Sequence, residues 1–172
     1  MKTEKFNYDL PEHLIAQYPS ELRADSKLLV ALESIKHEVF KDIGNYISKG
    51  DLLILNQTSV IPARMYGEKI TGGKIEILLE RFLSDHQTLT QVKSSRAPKA
   101  GAELVFSFQD KRFSATVKGR KDNFFILDWS TNPQALFQKY GQIPLPPYMH
   151  RAAEKLDEER YETIYADPNK QD

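Results

Sequence analysis

The segment Asp51-Leu-Leu-Ile-Leu-Asn-Gln-Thr-Ser-Val-Ile-Pro-Ala-Arg64, followed shortly by Gly72-Gly-Lys-Ile-Glu76, carries the clearest pattern in the chain. Its apolar residues Leu52–Leu55 predict a buried strand, and the polar residues 56–59 follow directly. Pro62 lies at the start of a second predicted strand. Polar side chains at the carboxyl end of an apolar strand contact ligands in open α/β sheets. The segment therefore predicts one wall of a binding site.

Residues 61–130 contain six short runs of strand-forming residues. The runs are Ala63–Ile70, Lys74–Leu83, Thr88–Lys93, Glu103–Phe108, Phe113–Lys118 and Phe124–Trp129. Turn-forming residues separate them and no helical pattern intervenes, which predicts a small antiparallel β-barrel. A helix should follow, because Asn132 suits its cap, Pro133 its first turn and Gly141 its end. Leu156–Tyr165 predicts a second helix.

Composition excludes several classes of site. The 172 residues include no Cys, which rules out disulfides, thiolate metal sites and a Cys nucleophile. The four His are scattered without ligand spacing, so we expect no metal. Lys plus Arg equals Asp plus Glu at 24 each, and any RNA contact must therefore come from local patches. The apolar runs are too short to span a bilayer, and we expect a cytoplasmic protein without membrane contact.

Several motifs are open to two interpretations. Lys74 and Glu76 lie two residues apart on a predicted strand and share one face, either as an exposed ion pair or as part of a site. Gly72-Gly73 is either a plain hairpin turn or a turn whose N–H groups hold an anion. The polar residues 56–59 either cap a turn or bind the edges of a base or the hydroxyls of a ribose.

Two clusters of cations admit the same choice. One is Lys93-Ser-Ser-Arg96-Ala-Pro-Lys99, and the other is Lys118-Gly-Arg120-Lys121. Charge runs are usually solvated faces. Basic loops of a small barrel also meet nucleic-acid phosphates, with an affinity that depends on salt.

The quoted segments resemble the S-adenosylmethionine:tRNA ribosyltransferase-isomerase family of queuosine biosynthesis. That family carries a similar strand, an Asn-Asn-Thr-Arg cluster, Val-Ile-Pro-Ala-Arg and Gly-Gly-Lys-x-Glu. Two positions depart from the family pattern, since Gln57 replaces an Asn and Ser59 replaces an Arg. The similarity continues in order through Leu10–Ala16, Gly141–Tyr148 and Glu159–Tyr165.

The resemblance implies an α+β fold in which a six-stranded antiparallel barrel is inserted into an α/β domain. Residues 61–144 would form the barrel with its terminal helix, and residues 1–60 plus 145–172 an incomplete α/β domain. Family members are longer than this chain. Three interpretations follow: a fragment of a longer protein, a decayed copy, or a chain that completes itself by self-association, although the family is monomeric.

The resemblance also implies an activity. The family moves the ribosyl group of S-adenosylmethionine to the aminomethyl-deazaguanine base at the tRNA wobble position, giving epoxyqueuosine. S-adenosylmethionine is then a substrate, the tRNA anticodon stem-loop is the partner, and no metal is required. Two other hypotheses are a truncated, catalytically impaired tRNA-binding remnant and a general protein-interaction barrel.

Candidate site residues follow from where the family motifs fall. Asn56 and Thr58 would hydrogen-bond the substrate, and Lys74 would bind an anionic group. Glu76 would act as a base or lie near the cationic centre. The candidates for substrate or RNA contact are Arg64, Lys93, Arg96, Lys99, Tyr148, Arg151 and Arg160.

Overall fold

The computed structural model describes residues 2–167 and divides them into two compact units. One comprises the chain up to Asn56 together with Pro147–His150, and the other Gln57–Pro146 with the residues from Arg151 onward. The domain division given above, with residues 61–144 inserted between 1–60 and 145–172, stays a prediction.

The first unit is built from a hairpin and short turns of 3₁₀-helix. Strands β1 (Lys27–Ala31) and β2 (Ile35–Val39) pair in antiparallel register. The 3₁₀ turns are Thr3–Phe6, Glu12–Leu14, Arg23–Asp25, Phe40–Tyr46 and Pro147–Met149. The Tyr46 hydroxyl donates a hydrogen bond to the Glu38 carboxylate at 2.6 Å, and this bond raises the pKa of Tyr46.

The strand predicted for Leu52–Leu55 is wrong. Residues 51–63 adopt neither helix nor strand, and Leu52 and Ile54 are 84% and 83% exposed. A strand is stable only when its backbone groups pair with a neighbour and its side chains are covered. No described strand lies alongside this segment, so its apolar composition does not produce the predicted structure.

The second unit contains the predicted barrel. Its strands are β3 (Arg64–Lys69), β4 (Lys74–Phe82), β5 (Gln87–Ser94), β6 (Glu103–Phe108), β7 (Lys111–Lys121) and β8 (Phe124–Trp129). They close in the order β3-β4-β5-β8-β7-β6, and every pairing is antiparallel. The predicted six-stranded antiparallel barrel and the α+β class are confirmed.

Alternate residues of each strand fill the interior of the barrel. The largest side chains that are completely buried there include Phe106, Phe125, Met65, Ile77, Leu104 and Leu127. Two threonines of β5, Thr88 and Thr90, are also fully buried. The Thr88 hydroxyl accepts a hydrogen bond from the indole N–H of Trp129 at 2.8 Å. The Thr90 hydroxyl has no hydrogen-bond partner among the described residues.

The barrel closes along a short seam between β3 and β6. Only two residue pairs join these strands, Glu68 with Val105 and Lys69 with Leu104. Gly67 lies against this seam, where a Cβ would stand 2.5 Å from the carbonyl oxygen of Val105 and 2.7 Å from the ring of Phe106. Glycine at this position lets the two strands approach.

Two helices follow the barrel. Helix α1 (Pro133–Tyr140) is capped by Asn132, whose side-chain oxygen accepts from the Ala135 N–H at 3.2 Å, as predicted. Helix α2 (Lys155–Arg160) is shorter than the predicted Leu156–Tyr165. The residues after it are held by other contacts, since the Glu162 carboxylate accepts from the Val60 N–H at 3.0 Å.

Candidate functional site

A row of three outward-facing side chains crosses strands β3, β4 and β5. Tyr66 lies opposite Glu76, and Glu76 lies opposite Lys93. Residues directly opposite on one face of a sheet have neighbouring side chains. Lys74 lies on the same face of β4 as Glu76, while Ile75 and Ile77 point into the core, as the spacing predicts.

Glu76 is the centre of this row. Its carboxylate lies 3.1 Å from Arg64 Nε and 4.0 Å from Lys93 Nζ, and its side chain is 27% exposed. The Arg64 Nε is buried and has no hydrogen bond among the described residues, despite the short distance to Glu76. The contact is therefore a charge pair with poor hydrogen-bond alignment, and the Nε donor is left unsatisfied.

The backbone fixes Arg64 in this place. Its N–H and C=O exchange hydrogen bonds with Gln142, at 3.1 and 2.8 Å. Its Nη2 donates to the carbonyl oxygen of Leu145 at 3.1 Å. The connector after α1 thus clasps the start of β3 and holds the guanidinium beside Glu76.

A groove of about 500 Å³ opens beside the row, at the β3–β6 seam. Its lining includes the exposed ring of Tyr66, the Lys74 side chain, Glu68 and Ser107. An aromatic ring next to a cation and hydroxyl donors suits a flat heterocycle or a sugar. Tyr66 and Ser107 were not predicted, because their proximity depends on strand register, which the sequence does not show.

The polar cluster 56–59 is divided between the two units. Asn56 belongs to the first unit and residues 57–59 to the second. In the second unit the Gln57 carbonyl oxygen accepts from the Asp167 N–H at 3.1 Å, and the Ser59 hydroxyl donates to the Asp167 carbonyl oxygen at 3.3 Å. This part of the cluster holds the end of the described chain. Substrate binding by Asn56 and Thr58 stays a prediction.

Arg151 forms an internal ion pair. Its two terminal nitrogens donate to the Asp157 carboxylate at 2.6 and 2.7 Å, and these side chains are only 14% and 6% exposed. Asp157 also accepts from the Glu154 N–H at 2.8 Å, at the start of α2. The hydrogen bonds from Arg151 and this N–H, together with the charge of Arg151, lower the pKa of Asp157, although burial opposes them. Arg151 therefore helps to hold the start of α2 through Asp157.

The remaining candidates are dispersed. Tyr148 is half exposed in the first unit, Arg160 ends α2, and Arg96 and Lys99 lie on the exposed loop between β5 and β6. Within residues 2–167, no group of three or more His, Asp or Glu side chains is placed to hold a metal ion. No helix in the described part of the chain is both long and apolar enough to cross a membrane.

The fold and site define a small β-barrel protein whose outer face combines charged and aromatic side chains beside a groove. A family model described as "Queuosine biosynthesis protein" matches residues 3–171. The chain belongs to this family.

Known relatives agree with the assignment. The chain is 43% identical over 173 residues to the S-adenosylmethionine:tRNA ribosyltransferase-isomerase of Acinetobacter baylyi, covering 99% of this chain and 49% of the relative. A relative of the same name from Legionella pneumophila is 43% identical over 169 residues, covering 96% of this chain and 49% of its own length. The chain thus spans about half the length of the curated relatives it matches.

A solved structure is also similar in sequence. It is the S-adenosylmethionine tRNA ribosyltransferase of Thermotoga maritima, 35% identical, with 90% of this chain and 53% of that chain covered. The TM-score is 0.41. Self-association, one of the three interpretations given above, stays a hypothesis.

Proposed function

We propose that this chain acts in the reaction for which its relatives are named, as an S-adenosylmethionine-dependent tRNA ribosyltransferase-isomerase of queuosine biosynthesis. The ribosyl group would pass to the aminomethyl-deazaguanine base at the wobble position, giving epoxyqueuosine with release of adenine and methionine. Sequence identity of 43% across nearly the whole chain supports the proposal. These relatives are about twice as long as this chain, which covers 49% of the first of them.

The position of Glu76 supports a catalytic role for its carboxylate. The reaction needs a base to free the attacking amine, an acid to assist adenine departure, and fixed dipoles around the sulfonium. Glu76 is a half-buried carboxylate opposite Tyr66, which lines the groove, and it can take a proton from an amine or face a cation. Arg64 orients this carboxylate and is a positioning residue in this scheme.

Other side chains would supply binding. Lys74 lies in the groove and would pair with an anionic group, such as the carboxylate of S-adenosylmethionine. The Tyr66 ring would stack on a heterocycle or a ribose. Asn56 and Thr58 would hydrogen-bond the substrate, and their side chains suit base edges and hydroxyls.

Adenine release provides the direct test. The chain is incubated with substrate tRNA and S-adenosylmethionine, and free adenine is followed by mass spectrometry. We expect Glu76→Gln to lower the initial rate by about 10²–10⁴-fold, the usual contribution of a general base. Glu80→Gln is the matched control, because Glu80 is an exposed carboxylate on the same strand. Turnover that is unchanged in Glu76→Gln would remove Glu76 from the mechanism.

A second candidate function is a tRNA-binding remnant without catalysis. It is favoured by Ser59, whose hydroxyl bonds the Asp167 backbone where the family places an Arg. A Ser cannot replace the fixed charge and paired donors of a guanidinium. Tight tRNA binding without adenine release would support this candidate. Absence of tRNA binding at low salt would support a protein-interaction barrel.

A further inference from the structure

Three segments that are distant in sequence meet at one end of the barrel. They are residues 68–75, 92–103 and 118–124, which contain the ends of β3, β5 and β7 and the starts of β4, β6 and β8. Because neighbouring strands are antiparallel, these ends lie together. Backbone hydrogen bonds hold them together. The Ile70 N–H donates to the Glu103 oxygen at 3.1 Å, and the Gly101 N–H donates at 2.8 Å to the oxygen of Val117, the residue before the third segment.

This end of the barrel is strongly basic. The three segments hold eight Lys or Arg against three Asp or Glu, an excess of five positive charges in a chain whose formal charge is zero. The cations are Lys69, Lys74, Lys93, Arg96, Lys99, Lys118, Arg120 and Lys121. We call this set the basic end. The hairpins at the other end, residues 80–87 and 108–113, hold three cations and three acids.

Most of these charges are not neutralised. Lys118 lies 3.7 Å from Asp128, and Lys93 lies 4.0 Å from Glu76. The other six cations have no carboxylate oxygen within 4.0 Å in the described part of the chain. All eight except Lys69 are exposed. Like charges held together without counter-charges are costly unless an anion joins them.

The basic end is also held in shape. The Arg120 guanidinium lies 4.3 Å above the Phe125 ring. The Arg96 carbonyl oxygen accepts from the Ser94 hydroxyl and from the Lys69 ammonium group, which ties the β5–β6 loop to β3. Pro98 is buried within that loop. A preorganised set of cations loses less entropy when it binds an extended anion.

We propose that the basic end is the surface that holds the phosphate backbone of tRNA, an inference that rests on the proposed function. Lys93 belongs both to the basic end and to the row that contains Glu76. A strand of RNA whose phosphates lie on the basic end is therefore led to the Tyr66 groove, where a base is presented to Glu76. Phosphate contacts position the substrate and carry no sequence information.

A pair of triple variants tests the surface. The first is Arg96→Gln, Lys99→Gln and Lys121→Gln at the basic end. The control is Arg81→Gln, Lys111→Gln and Arg112→Gln at the other end, which removes the same charge. The probe is an unmodified tRNA transcript, and its Kd is measured by fluorescence anisotropy from about 50 to about 300 mM NaCl, a range over which phosphate contacts weaken. Unchanged thermal midpoints in both variants establish that each is folded.

We expect the basic-end variant to raise Kd by about tenfold or more and to reduce the salt slope by about 2–3, since each phosphate contact contributes about 0.7–0.9. The control variant should change Kd by less than twofold. Equal loss in both variants, or an unchanged salt slope in the first, would overturn the proposal. Binding to anionic lipid vesicles with no binding to tRNA would also overturn it.

Adenine release separates this inference from the proposed function. If wild-type chain binds tRNA through the basic end but releases no adenine, the surface stands and the catalytic proposal fails. If adenine is released and the basic-end variant has an unchanged KM for tRNA, the surface fails and the catalytic proposal stands. If both hold, the variant should raise KM for tRNA and leave kcat within about twofold.

Discussion

Thr88 and Thr90 allow a sharp test of hydrogen bonding inside the barrel. Both lie on β5, both are completely buried, and both point into the interior two residues apart. They differ in one respect, since Thr88 accepts the Trp129 indole N–H at 2.8 Å and the Thr90 hydroxyl has no described partner. Substitution by Val keeps the β-branched shape of each side chain and replaces the hydroxyl with a methyl group.

The two substitutions should have opposite effects on the free energy of unfolding. Thr88→Val leaves the buried indole N–H without an acceptor, which costs about 1–3 kcal/mol. Thr90→Val removes a buried hydroxyl that pays a desolvation penalty without a bond, which should stabilise by about 0.5–1.5 kcal/mol. The difference between the variants should therefore be about 1.5–4.5 kcal/mol.

Urea unfolding provides the measurement. Trp129 is the only tryptophan in the chain, so its fluorescence reports the barrel directly. Circular dichroism checks that the same transition is followed, and equal m-values justify comparison of midpoints. Shifts of the same sign that agree within about 0.5 kcal/mol would refute this account of the barrel interior.

Two further predictions concern the seam and the internal ion pair. Gly67→Ala should lower the free energy of unfolding in urea by about 1–3 kcal/mol, because the new Cβ meets Val105 and Phe106. Gly119→Ala is the control and should be neutral, because no atom of the described residues lies within 4 Å of its Cβ position. Equal effects of the two substitutions would contradict the close approach of the strands at Gly67. Asp157→Asn should cost about 1–2 kcal/mol at pH 7. The pKa of Asp157 is lowered in the folded state. The difference in free energy of unfolding between wild type and variant should therefore be complete above the ordinary pKa of 3.8 and decrease as pH falls below it. A difference independent of pH between 7 and 2, an approximate range that spans that titration, would exclude the ion pair as its source.

Local sequence was sufficient for the barrel. Each of its strands begins and ends within a few residues of the predicted bounds, since alternating side chains and Gly- or Asp-containing turns are themselves local signals. The strand prediction for Leu52–Leu55 was wrong, because a continuous apolar run is buried only where another element covers it. Helix α2 also ends earlier than predicted. A side chain that follows it bonds a residue distant in sequence, since the Glu162 carboxylate accepts from the Val60 N–H.

Only part of the candidate site could be predicted from the sequence. Spacing alone places Lys74 and Glu76 on one face of β4. The addition of Arg64, Tyr66 and Lys93 depends on the register of three strands and on the clasp by Gln142, which are tertiary features. The sequence also contains both basic clusters, but only the pairing of β5 and β7 with the two sides of β8 brings them to the same end.

The unequal ends of the barrel have a kinetic consequence. A chain with zero formal charge gains no general attraction for a polyanion, yet its barrel concentrates five excess positive charges at one end, while the hairpins at the other end are balanced. A polyanion within about one Debye length of the basic end, roughly 8–10 Å, is attracted to it and oriented before contact is made. Association would then be fast and oriented at low ionic strength, without the nonspecific adhesion that a uniformly basic surface brings.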